Sequence, residues 1–109
     1  MIEIRHYVSR TGRDVFDDWL TQLADARAQA KIATRINRLA AGNFGDCKFL
    51  RQGLFELRID SGPGYRVYYA MIGRECVLLL CGGDKRRQSS DIERASEFFK
   101  DYKERSRTS

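Results

Sequence analysis

The side chains of this chain best suited to chemistry are cationic and aromatic. Arg58, Arg66 and Tyr68 lie close together in the chain, and the run Lys85-Arg86-Arg87 follows after one further apolar stretch. A guanidinium matches phosphate oxygens two at a time and stacks on bases, while a tyrosine offers both a ring and an exchangeable proton. Such a set grips a polyanion. It can also cut one that carries its own nucleophile. The 2′-hydroxyl of RNA can attack the neighbouring phosphate, so cleavage needs no protein nucleophile, metal or cofactor. It needs in-line positioning, positive charge on the developing phosphorane, and two proton movements. Arginine and lysine supply the first two. For the protons, Tyr68 or a lysine of lowered pKa must serve, because the one histidine, His6, is distant in the chain and reads as a packed or surface imidazole.

These residues meet only if strands carry them to one face. Leu54 to Asp60 alternates Phe55, Leu57 and Ile59 against Glu56, Arg58 and Asp60; Tyr65 to Ile72 alternates Val67, Tyr69 and Met71 against Arg66, Tyr68 and Ala70. If the apolar sets face a core together, Arg58, Arg66 and Tyr68 share the opposite, open face beside Lys85-Arg86-Arg87. Lys48 and Arg51, just before the first of these strands, extend the same surface. A one-residue slip would instead bury Arg66 beside Phe55 and Leu57 without a partner, a costly arrangement. Singly, each arginine reads as solvated surface; as a group they read as a site.

Composition sets the frame around them. The chain has 109 residues, 42% hydrophobic and 32% charged, which suits one domain over 1–109 with a core that needs no staples. No apolar run approaches the roughly 20 residues of a spanning helix, and the N-terminus lacks a secretory stretch, so a cytoplasmic protein that meets no membrane is expected. Cys47, Cys76 and Cys81 are odd in number and show no C-x-x-C spacing, which argues against disulfides or a zinc site. Residues 48–109 carry a net +4 and residues 1–47 only +1; of 20 basic residues, 15 are arginine. That bias suits nucleic acid, although a plain basic surface, or one that docks an acidic protein, has the same composition.

The elements that must position the site are short. Residues 2–8 alternate as a half-buried strand. Thr11 and Asp14 resemble a capping box before a helix bearing Phe16, Trp19 and Leu20, and Asp25 caps a second helix with Ile32, Ile36 and Leu39 on one face and Arg27, Lys31, Arg35 and Arg38 on another. After the two strands above, Cys76 to Cys81 is apolar on both sides, as a central strand would be, and Gly82-Gly83 ends it. Gly82-Gly83-Asp84-Lys85 lacks the spacing of a phosphate loop. Ser90 with Glu93 opens a last helix, with Ile92, Ala95, Phe99 and Tyr102 on one face. The expected fold is α+β in the order β-α-α-β-β-β-α, a helical hairpin turned toward a sheet.

At Gly53-Leu54-Phe55-Glu56-Leu57-Arg58, Gly64-Tyr65-Arg66-Val67-Tyr68-Tyr69 and Gly82-Gly83-Asp84-Lys85, the sequence resembles the RelE/ParE superfamily of type II toxins, and within it the HigB-like, phage-derived addiction-module killer proteins. The resemblance implies a RelE-like fold: an antiparallel sheet with an N-terminal helical hairpin on one face and a C-terminal helix. It also implies a toxin neutralised by a small cognate antitoxin, expected to be a helix-turn-helix protein with an acidic or amphipathic segment. For RelE-like members it implies ribosome-dependent cleavage of mRNA, with Arg66 as the phosphate-binding arginine and Arg86 at the leaving group. Arg58 and Lys85 would support charge, and Lys48, Arg51 and Arg87 would dock ribosomal RNA. Where some relatives place a catalytic tyrosine after the basic turn, this chain has Ile92 or a neighbour. A ParE-like poison that binds DNA gyrase without cutting, or an inactive antitoxin-binding module, would share the fold.

Overall fold

A computed structural model describes residues 1–108. The order is β1 (Glu3–His6), α1 (Val15–Gln22), α2 (Ala26–Ala40), β2 (Cys47–Arg51), β3 (Leu54–Ile59), β4 (Tyr65–Ile72), β5 (Cys76–Asp84), a 3-10 turn (Lys85–Arg87) and α3 (Gln88–Thr108). The five strands form one sheet ordered β1-β5-β4-β3-β2. Strand β1 runs parallel to β5 and the other neighbours are antiparallel, so the sheet is mixed rather than antiparallel. As the unbroken apolar run predicted, β5 is a central strand, buried from Cys76 through Gly83.

Helices cover both faces. Phe16 of α1 and Ile32 and Leu39 of α2 pack on Leu57, Ile59, Val67, Tyr69, Val77 and Leu79. On the other side Ala95 and Phe99 of α3 pack on Leu54, Tyr68, Ala70, Leu78 and Leu80. Each fully buried aliphatic side chain contributes about 1.5–3 kcal/mol, which makes these two clusters the main hold on the helices. The pairing is the one that alternation favoured: Phe55 faces Tyr69, Leu57 faces Val67, and Arg58 faces Arg66.

Strand β2 is an element that alternation did not show. Cys47 and Phe49 pair with Leu57 and Phe55, Lys48 pairs with Glu56, and the register then shifts before Arg51. The strand is short, lies at the sheet edge and carries mixed side chains on both faces, so it lacks a periodic signal. Its turn into β3 is Gln52-Gly53, with φ of 49° and 84°. Two consecutive positive φ values are what a type I′ hairpin requires, and glycine meets the second without strain.

The helix starts also differ from expectation. Asp14, not Thr11, caps α1 by accepting from the Asp17 amide, whereas Asp25 caps α2 as expected by accepting from Ala28. The last helix begins earlier than Ser90, because Asp84 caps the 3-10 turn that leads directly into α3. Strand β5 likewise runs through Gly82-Gly83 instead of ending there. These glycines are required for close approach: a Cβ on Gly82 would fall 2.2 Å from the Trp19 ring, and one on Gly83 would fall 1.9 Å from Asp91 Oδ2.

Candidate nucleic-acid interface

Arg58 and Arg66 stand directly opposite one another on β3 and β4, on the sheet face that α3 covers only in part. Two like charges in a cross-strand pair repel. Between them lies a carboxylate that offsets this: Glu56, which is fully buried. Arg58 Nε donates to Glu56 Oε2 at 3.1 Å, and Arg66 Nε lies 3.7 Å from Oε1, close enough for an ion pair but too long for a hydrogen bond. Gln88, at the start of α3, donates through Nε2 to Oε1 at 2.6 Å. A buried carboxylate is tolerated only when it is paired and hydrogen-bonded, and Glu56 has all three partners. The result is a rigid mount for two cations. Arg66 keeps 13% of its side chain in solvent and Arg58 37%.

The basic turn is anchored from below. Asp84 accepts from the Arg86 amide at 3.0 Å through Oδ1 and pairs with the Arg86 guanidinium at 3.3 Å through Oδ2. Burial pushes the Asp84 carboxyl up, but the bonds from Arg86 outweigh it and hold the group below the usual carboxylate range. Arg86 remains 83% exposed on this tether. Lys85 follows Asp84, whose strand partner is Tyr65, the neighbour of Arg66. Arg66 Nη1 and Lys85 Cβ flank the same point beside Gly64, at 3.4 and 3.6 Å from where a Cβ would stand there. One end of the sheet therefore presents Arg58, Arg66 and the Lys85–Arg87 turn together.

Residues 18–100, which contain this whole patch, match the family model described as phage-derived protein Gp49-like. The chain belongs to the Gp49-like family. An uncharacterized protein of Haemophilus influenzae is 56% identical to this Gp49-like protein over 80 residues, covering 73% of the chain and 81% of the relative.

The remaining expected site residues of the Gp49-like protein are placed unequally. Lys48 is exposed on β2 opposite Glu56, so it shares the face and flanks Arg58. Arg51 is drawn to α3, donating to Glu93 at 2.7 Å. Arg87 is exposed, and its charge opposes in small part the upward shift that burial gives Asp91. Tyr68 is the correction. It was expected on an open face; it is fully buried among Leu54, Ala70 and Ala95, and its hydroxyl has no hydrogen-bond partner among the described residues. Burial raises its pKa well above the ordinary tyrosine value, with the nearby Glu56 and Asp91 charges adding to the shift. The physical reason is α3, whose apolar face lies across this part of the sheet and leaves only the Arg58–Arg66 end open.

Sequence reasoning missed the acidic members of the site. Glu56 alternates with Arg58 on the same strand face, and that spacing was a usable signal for an internal counter-ion. Asp91, 2% exposed, sits over Gly83 and pairs with Arg94 at 3.3 Å. Its burial holds the carboxyl above the usual range although Arg94 opposes the shift. Among the described residues no group of three or more His, Cys, Asp or Glu side chains is gathered to hold a metal, and no helix is long and apolar enough to cross a membrane.

Proposed function

We propose that this Gp49-like protein is the toxin of a type II toxin–antitoxin module and acts as a ribosome-dependent mRNA endoribonuclease silenced by its antitoxin. Membership of the Gp49-like family, a toxin–antitoxin toxin family, supports the first half. The second half rests on one observation: Arg58 and Arg66 are mounted on buried Glu56 beside the Lys85–Arg87 turn. That arrangement suits a phosphate clamp with an exposed arginine at its edge.

In this reading the 2′-oxygen attacks phosphorus in line, the P–O5′ bond breaks, and the products are a 2′,3′-cyclic phosphate and a 5′-hydroxyl end. Arg66 fixes the phosphate, Arg86 meets charge developing on the leaving oxygen, and Arg58 and Lys85 add positive potential. During attack the 2′-hydroxyl proton passes to a water molecule, and O5′ takes one proton from the Lys85 ammonium, which regains it from water, so the cut is proton-neutral. Lys48, Arg51 and Arg87 supply the wider cationic track for ribosomal RNA. The exposed Arg51–Glu93 pair is weak enough to exchange for a phosphate.

A second reading is a ParE-like gyrase poison or an inactive antitoxin-binding module. The burial of Tyr68 favours it, because the patch then lacks a tyrosine to move protons. Induced expression separates the readings. Rapid arrest of translation with broken mRNA supports the nuclease, a DNA-damage response supports the poison, and unimpaired growth supports the inactive module. An antitoxin that covers the cationic patch would bind more weakly as salt rises.

A further inference from the structure

Strand β1 stops pairing at Leu79, so from Leu80 onward β5 has a strand on one side only. At that uncovered edge lies a cavity of about 300 Å³ between α1 and α3. Trp19 and Gly82 form part of its wall, Ser9 and Arg13 come from the loop after β1, Gln22 from α1 and Arg94 from α3. The Trp19 indole is held in place by Gly82, whose missing side chain leaves room for the ring, and by Tyr65 at 6.2 Å edge-on. Two cations also line the cavity. Arg13 donates Nε and Nη2 to Asp18, and Arg94 donates Nη1 to Asp91. The other guanidinium nitrogens of both have no hydrogen-bond partner among the described residues, and the Arg94 guanidinium lies 5.5 Å from the centre of the Phe98 ring.

We infer that this cavity binds one nucleotide of a single RNA strand, with the base against Trp19 and the phosphate on Arg13 and Arg94. An indole wall, polar side chains able to read a base edge and two partly exposed guanidinium groups are the elements of single-strand recognition. The two carboxylates, Asp18 and Asp91, orient the guanidinium groups without using all their donors. The place in the fold fits as well. Gly82 precedes Lys85 by three residues, about 10 Å of extended strand, so RNA clasped at Arg66 and Arg86 continues into the cavity. The inference rests on the RNA-cleavage reading and deepens it: the cavity would set which base is accepted beside the cut.

Trp19 is the one tryptophan of the chain, so its indole N–H gives a single reporter resonance in the spectrum of the 15N-labelled full chain. Each of the four nucleoside 5′-monophosphates is titrated, with inorganic phosphate as the probe of charge alone. A saturable shift of the indole resonance is expected with nucleotides, unequal among the bases, and little shift with phosphate. Arg13→Gln should weaken the response about tenfold, the loss of one charge-assisted contact. Arg94→Gln is the second variant, should the first not fold. An indole resonance unmoved by all four nucleotides overturns the inference. If a short RNA still binds and is cut on ribosomes, the nuclease reading survives that failure. If nucleotides shift the indole but no RNA is ever cut, the cavity stands and the nuclease reading falls.

Discussion

Arg58 and Arg66 are direct cross-strand partners, and a single buried carboxylate, Glu56, lies within ion-pair range of both. Positive charge is thus concentrated without the strands being pushed apart. The same carboxylate bonds Gln88, so the mount also fastens the first turn of α3 to the sheet.

Breaking the mount should be costly. Glu56→Ala leaves Arg66, mostly buried, without its counter-ion, and is expected to lower unfolding stability by about 3 kcal/mol. Urea denaturation checks this. Arg66→Met, which keeps volume while removing charge, should lose far less stability than Glu56→Ala and yet abolish any phosphate-dependent activity. Equal stability losses for the two would contradict Glu56 as the shared counter-ion that holds Arg58 and Gln88 as well as Arg66.

Tyr68→Phe separates packing from proton transfer. The hydroxyl is buried and unpartnered, so its removal should leave stability unchanged or raise it by up to about 1 kcal/mol. Activity should be unaltered. A folded Tyr68→Phe protein that no longer arrests growth would show that this hydroxyl reaches substrate.

The paired glycines of β5 give a packing test. In Gly83→Ala the new methyl meets Asp91, and in Gly82→Ala it meets Trp19, both far inside contact distance. Overpacking of this kind costs about 1–3 kcal/mol. Thermal melts should place both variants well below the parent protein, while Gly73→Ala, whose Cβ meets nothing, loses only the smaller cost of a strained positive φ.

Thiol reactivity and acid stability follow from burial. The Cys81 thiol is pushed up to about 12 by desolvation and Cys76 is also raised, so alkylation at neutral pH should label Cys47 first. Asp101 is held below the usual carboxylate range, chiefly by the Tyr7 hydroxyl and then by Arg10. A depressed carboxylate adds stability that is present above its unfolded pKa and lost as pH falls through the folded value. Asp91 has the opposite sign: its raised pKa makes the fold lose stability as pH rises between the unfolded and folded values. Asp101→Asn should therefore flatten the acid limb of a stability–pH curve, and Asp91→Asn should remove the loss toward neutrality.

Strand faces were legible because period-two alternation is strong wherever one side is buried, as in Leu57, Ile59, Val67 and Tyr69. The hairpin face of α2 and the cap at Asp25 were readable for similar local reasons. What escaped is non-local. Edge strand β2 is too short and mixed to alternate, and its Gln52-Gly53 turn lacks the usual Asn-Gly signature. The burial of Tyr68 depends on α3 lying across the sheet, which no window around Tyr68 contains. Glu56 was visible as a residue on the cationic face, but its role depends on three partners from β3, β4 and α3.

The most direct test is cleavage in a reconstituted system. Purified protein is added to ribosomes programmed with a defined mRNA, and the ends of the fragments are mapped and their termini identified. Breaks are expected only when ribosomes are present, with 2′,3′-cyclic phosphate ends, and cleavage is expected to be lost in folded Arg66→Met. Intact mRNA with the parent protein, or undiminished cleavage by Arg66→Met, would contradict the nuclease reading.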